Sequence, residues 1–213
     1  MSKKISSIIA LAAGAAGISV AFLSSAGAQD QSNADSAKPL ASAVFAGGCF
    51  WCVEADFDKV TGVMETVSGF AGGHVAKPTY KQVTAGGTGH YEVVKITYDP
   101  DIVSYEELVH YFMRHIDPLD ARGQFCDKGD SYRSAIFVGD DAERVIVDAE
   151  IAADNEIFDG KVATAVLDAS TFWPAEAYHQ DYYTKNPIKY RYYRTACGRD
   201  KRVKALWGNR KAH

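Results

Sequence analysis

A short apolar run over residues 43–46 stops at Gly47-Gly48, and from Cys49 onward Val53, Phe57 and Val60 recur at helical spacing. That pattern is a strand, a glycine corner and a helix start, and a helix entered so tightly must pack back onto the sheet that holds the strand. Downstream, Thr61-Gly62 closes the helix and residues 63–70 read as a second strand running into Gly72-Gly73. A loop passes through Pro78. Residues 91–98 alternate and stop at Asp99-Pro100, and Ser104 with Glu107 makes a capping box ahead of Leu108, Phe112 and Ile116. A polar loop over residues 119–131 precedes a strand at 132–138, a helix opened by Asp140 and Glu143 that runs towards Phe158, and a strand at 162–167. Residues 174–183 read as helical, and the basic segment around Cys197 reads as a flexible tail. Strands and helices alternate with connections of uneven length, so the expected fold is α+β, a mixed β-sheet sandwich with flanking helices.

The amino-terminal residues differ from the rest. Lys3 and Lys4 lead into an uncharged, Ala-rich run over residues 8–23, followed by Ala26-Gly27-Ala28, which is the pattern of a secretory signal peptide spanning residues 1–28. The run is glycine-interrupted and shorter than the ~20 residues a membrane helix needs, so an uncleaved anchor is the lesser alternative. Residues 29–41 are small and polar and read as a flexible leader to a single domain over 42–213. Without residues 1–28 the chain has 21 basic residues against 27 acidic ones, which leaves no footprint for nucleic acid. The expected location is exported, in the periplasm. Four cysteines, Cys49, Cys52, Cys126 and Cys197, in an exported chain suggest structural bridges unless chemistry claims them.

The chemistry-bearing positions fall in separate segments. In Gly48-Cys49-Phe50-Trp51-Cys52, a thiol at a helix start lies where backbone N–H groups and the helix dipole favour a thiolate, although a half-buried or bridged cysteine fits the local context too. Phe50 and Trp51 beside it would make an apolar cage for a small apolar group next to a reacting atom, or simply core. The strand period puts Glu92 on the face of Val94 and Ile96, where desolvation would keep its carboxyl protonated near neutrality and able to act as a general acid; a buried salt bridge to arginine is the competing account. Asp127 and Tyr132 sit in a loop entering a strand, Tyr80 in a Pro-Thr-Tyr turn, and His179 reads as a structural or solvent-facing histidine. Cys197 could swing to Cys49 as a resolving thiol. His90 with Glu92 is too little for a metal site, and the glycine run 86–89 lacks the Lys-Ser/Thr of a phosphate loop.

Taken together, Gly48-Cys49-Phe50-Trp51 with Glu54, Gly72-Gly73, Pro78-Thr79-Tyr80, Gly87-Thr88-Gly89-His90 with Glu92, Asp117-Pro118, Tyr132-Arg133-Ser134 and the stretch from Phe172 to Gln180 resemble the A-type peptide methionine sulfoxide reductases. The resemblance implies a ferredoxin-like core and the reduction of methionine S-sulfoxide, free or in proteins, to methionine, here as repair of oxidised exported proteins. It implies that Cys49 attacks the sulfoxide sulfur, Glu92 protonates the oxygen, Tyr80 and Tyr132 hydrogen-bond to it, Asp127 orders water or a hydroxyl, and Phe50 and Trp51 hold the methyl group. Cys49 would be left as a sulfenic acid. The chain has Cys52 where the family commonly has glycine, and it lacks a glycine-rich tail. Cys197 is the expected resolver, with Cys52 and Cys126 as alternatives. A thioredoxin-like reductant would complete the cycle of a monomer that needs no metal or other cofactor.

Two other readings compete. An exported thioredoxin-like disulfide oxidoreductase would account for Cys49-Phe50-Trp51-Cys52 but would leave Glu92 and Tyr132 without purpose. A non-catalytic binding domain would lock all four cysteines in bridges.

Overall fold

A computed structural model describes residues 39–208. The expected signal peptide over 1–28 and most of the expected leader lie outside the described residues. Among those described, no helix is long and apolar enough to cross a membrane.

The corner at Gly47-Gly48 forms as its sequence demands. Strand β1 (Ala41–Gly47) ends there and helix α1 (Phe50–Phe57) begins immediately after. Gly48 has φ +82°, and a Cβ on it would lie 2.5 Å from Cβ of Gln124, so this turn needs glycine for both conformation and space. The chain continues through β2 (Val63–Ala71), α2 (Tyr80–Ala85), β3 (Tyr91–Tyr98), α3 (Tyr105–Met113), a small hairpin of β4 (Gly123–Gln124) and β5 (Asp127–Lys128), and a 3-10 turn at Asp130–Tyr132. It then forms β6 (Ser134–Val138), α4 (Asp141–Ile157), β7 (Ala165–Asp168), β8 (Trp173–Pro174), α5 (Tyr182–Lys185), α6 (Pro187–Ala196) and α7 (Arg199–Trp207).

The main sheet has the order β7-β6-β1-β3-β2-β8, with every pair antiparallel except β6 and β7. Its four central strands, with α1 and α3 as crossovers, make the split β-α-β arrangement of a ferredoxin-like core, and the parallel β7 makes the sheet mixed. On one face, Phe45, Phe70, Val94, Ile96 and Ile136 pack against Val53 and Phe57 of α1 and Leu108 and Phe112 of α3, all nearly or fully buried. At ~25 cal/mol per Å2 of apolar surface, this face supplies most of the driving force for folding. The Ser104 capping box closes as read, with Ser104 Oγ accepting the Glu107 N–H at 3.2 Å and Glu107 Oε2 accepting the Ser104 N–H at 2.7 Å.

Three expectations are corrected. The Pro78 loop contains α2, opened by a capping box between Thr79 and Gln82. The segment 174–181 is not helical, and only Tyr182 and Tyr183 fall in a helix, at the start of α5. Trp173 and Pro174 pair with Phe70 and Gly69 instead, and Gln180 clamps Ser68 through Oε1 on its N–H and Nε2 on its carbonyl, both at 2.9 Å. The basic tail is ordered as α6 and α7. It is held both by charge and by buried Val203 and Trp207 of α7: buried Arg199 donates to the carbonyls of Gly47 at 3.1 Å and His115 at 3.0 Å, and Arg194 lies 2.9 Å from buried Asp56.

Candidate active site

Seven residues singled out from four stretches of sequence meet in one place. Cys49, Phe50, Trp51, Tyr80, Glu92, Asp127 and Tyr132 line a small cavity of about 60 Å3, together with Tyr193, which the sequence reading passed over. α1 supplies the thiol and the two aromatics, the start of α2 supplies Tyr80, β3 supplies Glu92, and the β4–β5 hairpin with its 3-10 turn supplies Asp127 and Tyr132.

Glu92 is 1% exposed, beside fully buried Val94 and Ile96. Its Oε2 accepts the Phe50 N–H at 3.1 Å, Oε1 is buried with no partner at hydrogen-bonding distance, and the neighbouring Tyr132 hydroxyl also acts on the carboxyl. Burial, offset in part by that N–H, lifts its pKa to about 8. The partner is a backbone N–H and not an arginine, which removes the salt-bridge account. Tyr80 and Tyr132 are hydrogen-bonded to each other, and burial followed by the nearby Glu92 raises the pKa of both, to about 12 for Tyr80. All three groups therefore hold their protons at neutral pH and can donate to an oxygen atom placed among them.

Cys49 is the N-cap of α1, with its thiol 7% exposed. The expectation of a low-pKa Cys49 thiol is corrected. Burial, and then the adjoining Cys52, push the Cys49 thiol well up, whereas the hydrogen bond from Cys49, and then Arg199 and Arg194, bring the Cys52 thiol down. A helix start helps a thiolate only where desolvation does not outweigh it. Of the two adjoining thiols, Cys52 is therefore the one eased towards ionisation and Cys49 the one held back. Tyr193 links this pair to the hairpin, since its hydroxyl is bonded both to Cys49 and to Asp127 Oδ2. Burial raises the Asp127 pKa.

The other two cysteines form a disulfide, Cys126–Cys197, while Cys49 and Cys52 are free and buried. Cys197 is the C-cap of α6, not part of a mobile tail. Cys126 is exposed and Cys197 half-buried, so the bridge is open to solvent where the Cys49 thiol is not. Among the described residues one group has donor atoms close enough for a metal, Cys126, Asp127 and Cys197, but both of its sulfurs are committed to the disulfide.

His179 is buried rather than solvent-facing, with Nδ1 3.1 Å from Trp51 Nε1. His179 packs behind the aromatic walls of the cavity, whereas Tyr193 lines it, and no local pattern shows the Tyr193 placement because its segment packs there from far along the chain.

Residues 41–211 match the family model described as peptide methionine sulfoxide reductase. The chain is 52% identical over 170 residues to peptide methionine sulfoxide reductase MsrA 2 of Rhizobium meliloti (strain 1021), covering 79% of this chain and 84% of that one. It is 46% identical over 168 residues to MsrA of Bacillus subtilis (strain 168), covering 78% and 95% respectively. Among solved structures it resembles methionine sulfoxide reductase A of Corynebacterium diphtheriae, with TM-score 0.64 and 34% identity over 70% of this chain and 76% of that one. It also resembles reduced Mxr1 from Saccharomyces cerevisiae, with TM-score 0.66 and 31% identity over 70% and 86%.

Proposed function

We propose, from the premise that this chain belongs to the peptide methionine sulfoxide reductase family and is an oxidoreductase of its MsrA type, a residue-by-residue course for its reduction of methionine sulfoxide. The observation that carries it is the meeting of Cys49, Phe50, Trp51, Tyr80, Glu92, Asp127 and Tyr132 at one cavity, with Glu92 Oε1 buried and without a partner at hydrogen-bonding distance. The substrate is the S-sulfoxide of methionine, free or in a protein, with its methyl group against Phe50 and Trp51 and its oxygen among Glu92, Tyr80 and Tyr132.

Cys49 gives up its proton to Cys52, the thiol of the pair that is eased towards ionisation, and attacks the sulfoxide sulfur as Glu92 protonates the oxygen. A bond forms between Cys49 and the substrate sulfur; the protonated oxygen then passes as hydroxyl from the substrate sulfur to Cys49 as that new bond breaks, so methionine leaves, Cys49 becomes a sulfenic acid and Glu92 an anion. Tyr193 and Asp127 hold the thiol side of the cavity. Cys197 then condenses with the sulfenic acid, releasing water and forming a Cys49–Cys197 disulfide. Attack by Cys126 on Cys197 frees Cys49 and leaves Cys126–Cys197, the bridge present in this structure. A dithiol reductant of the thioredoxin kind takes the oxidising equivalents there, because that disulfide meets solvent and the inner thiols do not. Support for Cys197 as resolver is its place beside Asp127, whose carboxylate holds the Tyr193 hydroxyl bonded to Cys49. Cys52 is nearer in the resting state and is the alternative that the experiment separates. We place the enzyme in the periplasm as a monomer that repairs exported proteins; support for export is the charged, apolar and small-residue succession of residues 1–28.

The test is a single turnover of reduced protein on a methionine S-sulfoxide peptide, followed by mass spectrometry. Wild type is expected to release one methionine peptide and gain a disulfide. Cys49→Ser is expected to release none, and Cys197→Ser to release one while its sulfenic acid persists to be trapped. Disulfide formation in Cys197→Ser that is lost on adding Cys52→Ser would assign the resolving step to Cys52. Turnover by Cys49→Ser would refute the mechanism.

A further inference from the structure

Trp51 is held against its neighbours in a way that leaves one freedom unaccounted for. Its indole stacks on Tyr182, centroids 3.8 Å apart and planes 8° from parallel, and meets the edge of Tyr193 at 5.8 Å. Stacking sets the plane of a ring but resists in-plane sliding and rotation only weakly. The directional contact that completes the placement is the hydrogen bond from Trp51 Nε1 to His179 Nδ1, 3.1 Å long. We propose that His179 is a positioning residue of this active site, whose Nδ1 lone pair fixes the Trp51 indole and whose ring braces Phe50 and Tyr80. The inference rests on the reading of Phe50 and Trp51 as the wall that receives the substrate methyl group.

Indole nitrogen is a donor only, so Nδ1 must accept and the imidazole proton sits on Nε2. The ring is neutral in that tautomer, which agrees with burial lowering its pKa. His179 is 1% exposed, and Nε2 is buried with no hydrogen-bond partner. A side chain present only to fill space would not carry a buried unpaired N–H, which costs free energy that an apolar side chain avoids. The acceptor on the opposite side of the ring offsets that cost. The same imidazole lies 5.0 Å from the Phe50 ring, 5.7 Å from Trp51 and 4.3 Å from Tyr80, so it touches three walls of the cavity without lining it.

A brace works only if it is itself anchored. Three residues before His179, Glu176 Oε1 accepts the Tyr80 N–H at 3.1 Å, and one residue after it Gln180 bonds to both Ser68 backbone groups and to the Ala175 carbonyl. The strap from Ala175 to Tyr182 thus ties strand β2 to the start of α2 and offers His179 to α1 as a fixed point. This explains why the stretch gives up helical structure, because a helix there could not serve all three attachments.

The test uses amide geometry. In His179→Asn the side-chain oxygen can sit where Nδ1 does, in His179→Gln it reaches towards Nε2, and in His179→Leu no acceptor remains. Two readouts are taken on reduced full-length protein: KM and kcat with a methionine S-sulfoxide peptide, and the Trp51 indole N–H resonance without substrate. The Leu and Gln variants are expected to raise KM roughly tenfold, the scale of one lost hydrogen bond, with a much smaller change in kcat, and to shift the resonance. Asn is expected to return both towards wild type. In a Trp51→Phe background, which has no donor, the Asn and Leu variants are expected to be indistinguishable. Equal KM for Asn, Gln and Leu in the Trp51 protein, or an unmoved indole resonance in the Leu variant, would overturn the proposal. The resonance is read without turnover, so it reports on His179 even if the assigned reaction itself fails its own test.

Discussion

Glu92→Gln is expected to stabilise the protein at alkaline pH while stopping its chemistry. The Glu92 carboxyl is 1% exposed, and burial above all lifts it from an ordinary 4.5 to about 8. Between those values the unfolded chain has lost the Glu92 proton and the folded protein still binds it. Stability from this group is therefore greatest below pH 4.5 and falls as pH rises, by ~1.4 kcal/mol per unit, until the folded carboxyl ionises near pH 8. The whole loss is ~5 kcal/mol for a shift of this size. Glutamine does not titrate, and its amide oxygen can still accept the Phe50 N–H. Glu54, lifted by burial to about 7, and Asp154, lifted by burial to about 6, tilt wild type and variant alike, so their comparison isolates Glu92. Urea unfolding of both proteins at pH 5.5 and 8.5 is the assay, and wild type is expected to lose ~3 kcal/mol more than the variant over that interval. In single turnover the wild-type rate is expected to fall as pH passes about 8, where the proton donor is lost, and the variant is expected to bind peptide but release little methionine. Identical pH slopes of stability would refute a buried protonated Glu92, and unimpaired methionine release by the variant would refute its role as acid.

Burial pushes the Cys49 thiol up and the Tyr193 hydroxyl offsets a part of that rise, so in Tyr193→Phe Cys49 is expected to react more slowly with iodoacetamide at pH 8 than in wild type, as read by mass spectrometry of the alkylated peptide. Arg199→Ala would leave buried Asp56 with one guanidinium fewer and take the Arg199 donors from the Gly47 and His115 carbonyls, a loss of about 3–5 kcal/mol measurable by urea unfolding. Gly48→Ala combines φ +82° with a clash at Gln124 and is expected to cost about 3 kcal/mol, seen as a lowered Tm.

Much of the fold and site was legible wherever local periodicity carried the signal. The Gly47-Gly48 corner, the Ser104 capping box and the alternation that sets Glu92 beside Val94 and Ile96 all depend on neighbours a few residues apart, and each formed as read. The readings that failed were those in which a distant partner outweighed local preference. Residues 174–183 have helical spacing, but pairing of Trp173 and Pro174 with β2 and the Gln180 clamp on Ser68 use backbone groups a helix would need. The segment around Cys197 looked like a tail because it is basic and poor in apolar residues. Its arginines find Asp56, Asp117 and main-chain carbonyls far away in the chain, and sequence alone does not show which charges will meet.

By itself, then, the sequence determined which residue types stand at the corner, on the strand face and in the turns, because strand and helix periods are imposed by the backbone. Only the tertiary structure decided how those groups ionise and pair. The sign of the Cys49 shift, the protonation of Glu92, the Cys126–Cys197 bridge and the contact of His179 with Trp51 all depend on how deeply each group is buried and on what lies across the cavity. Desolvation and through-space contact depend on position in the folded molecule, which residues separated by dozens of positions acquire only when the sheet brings them together.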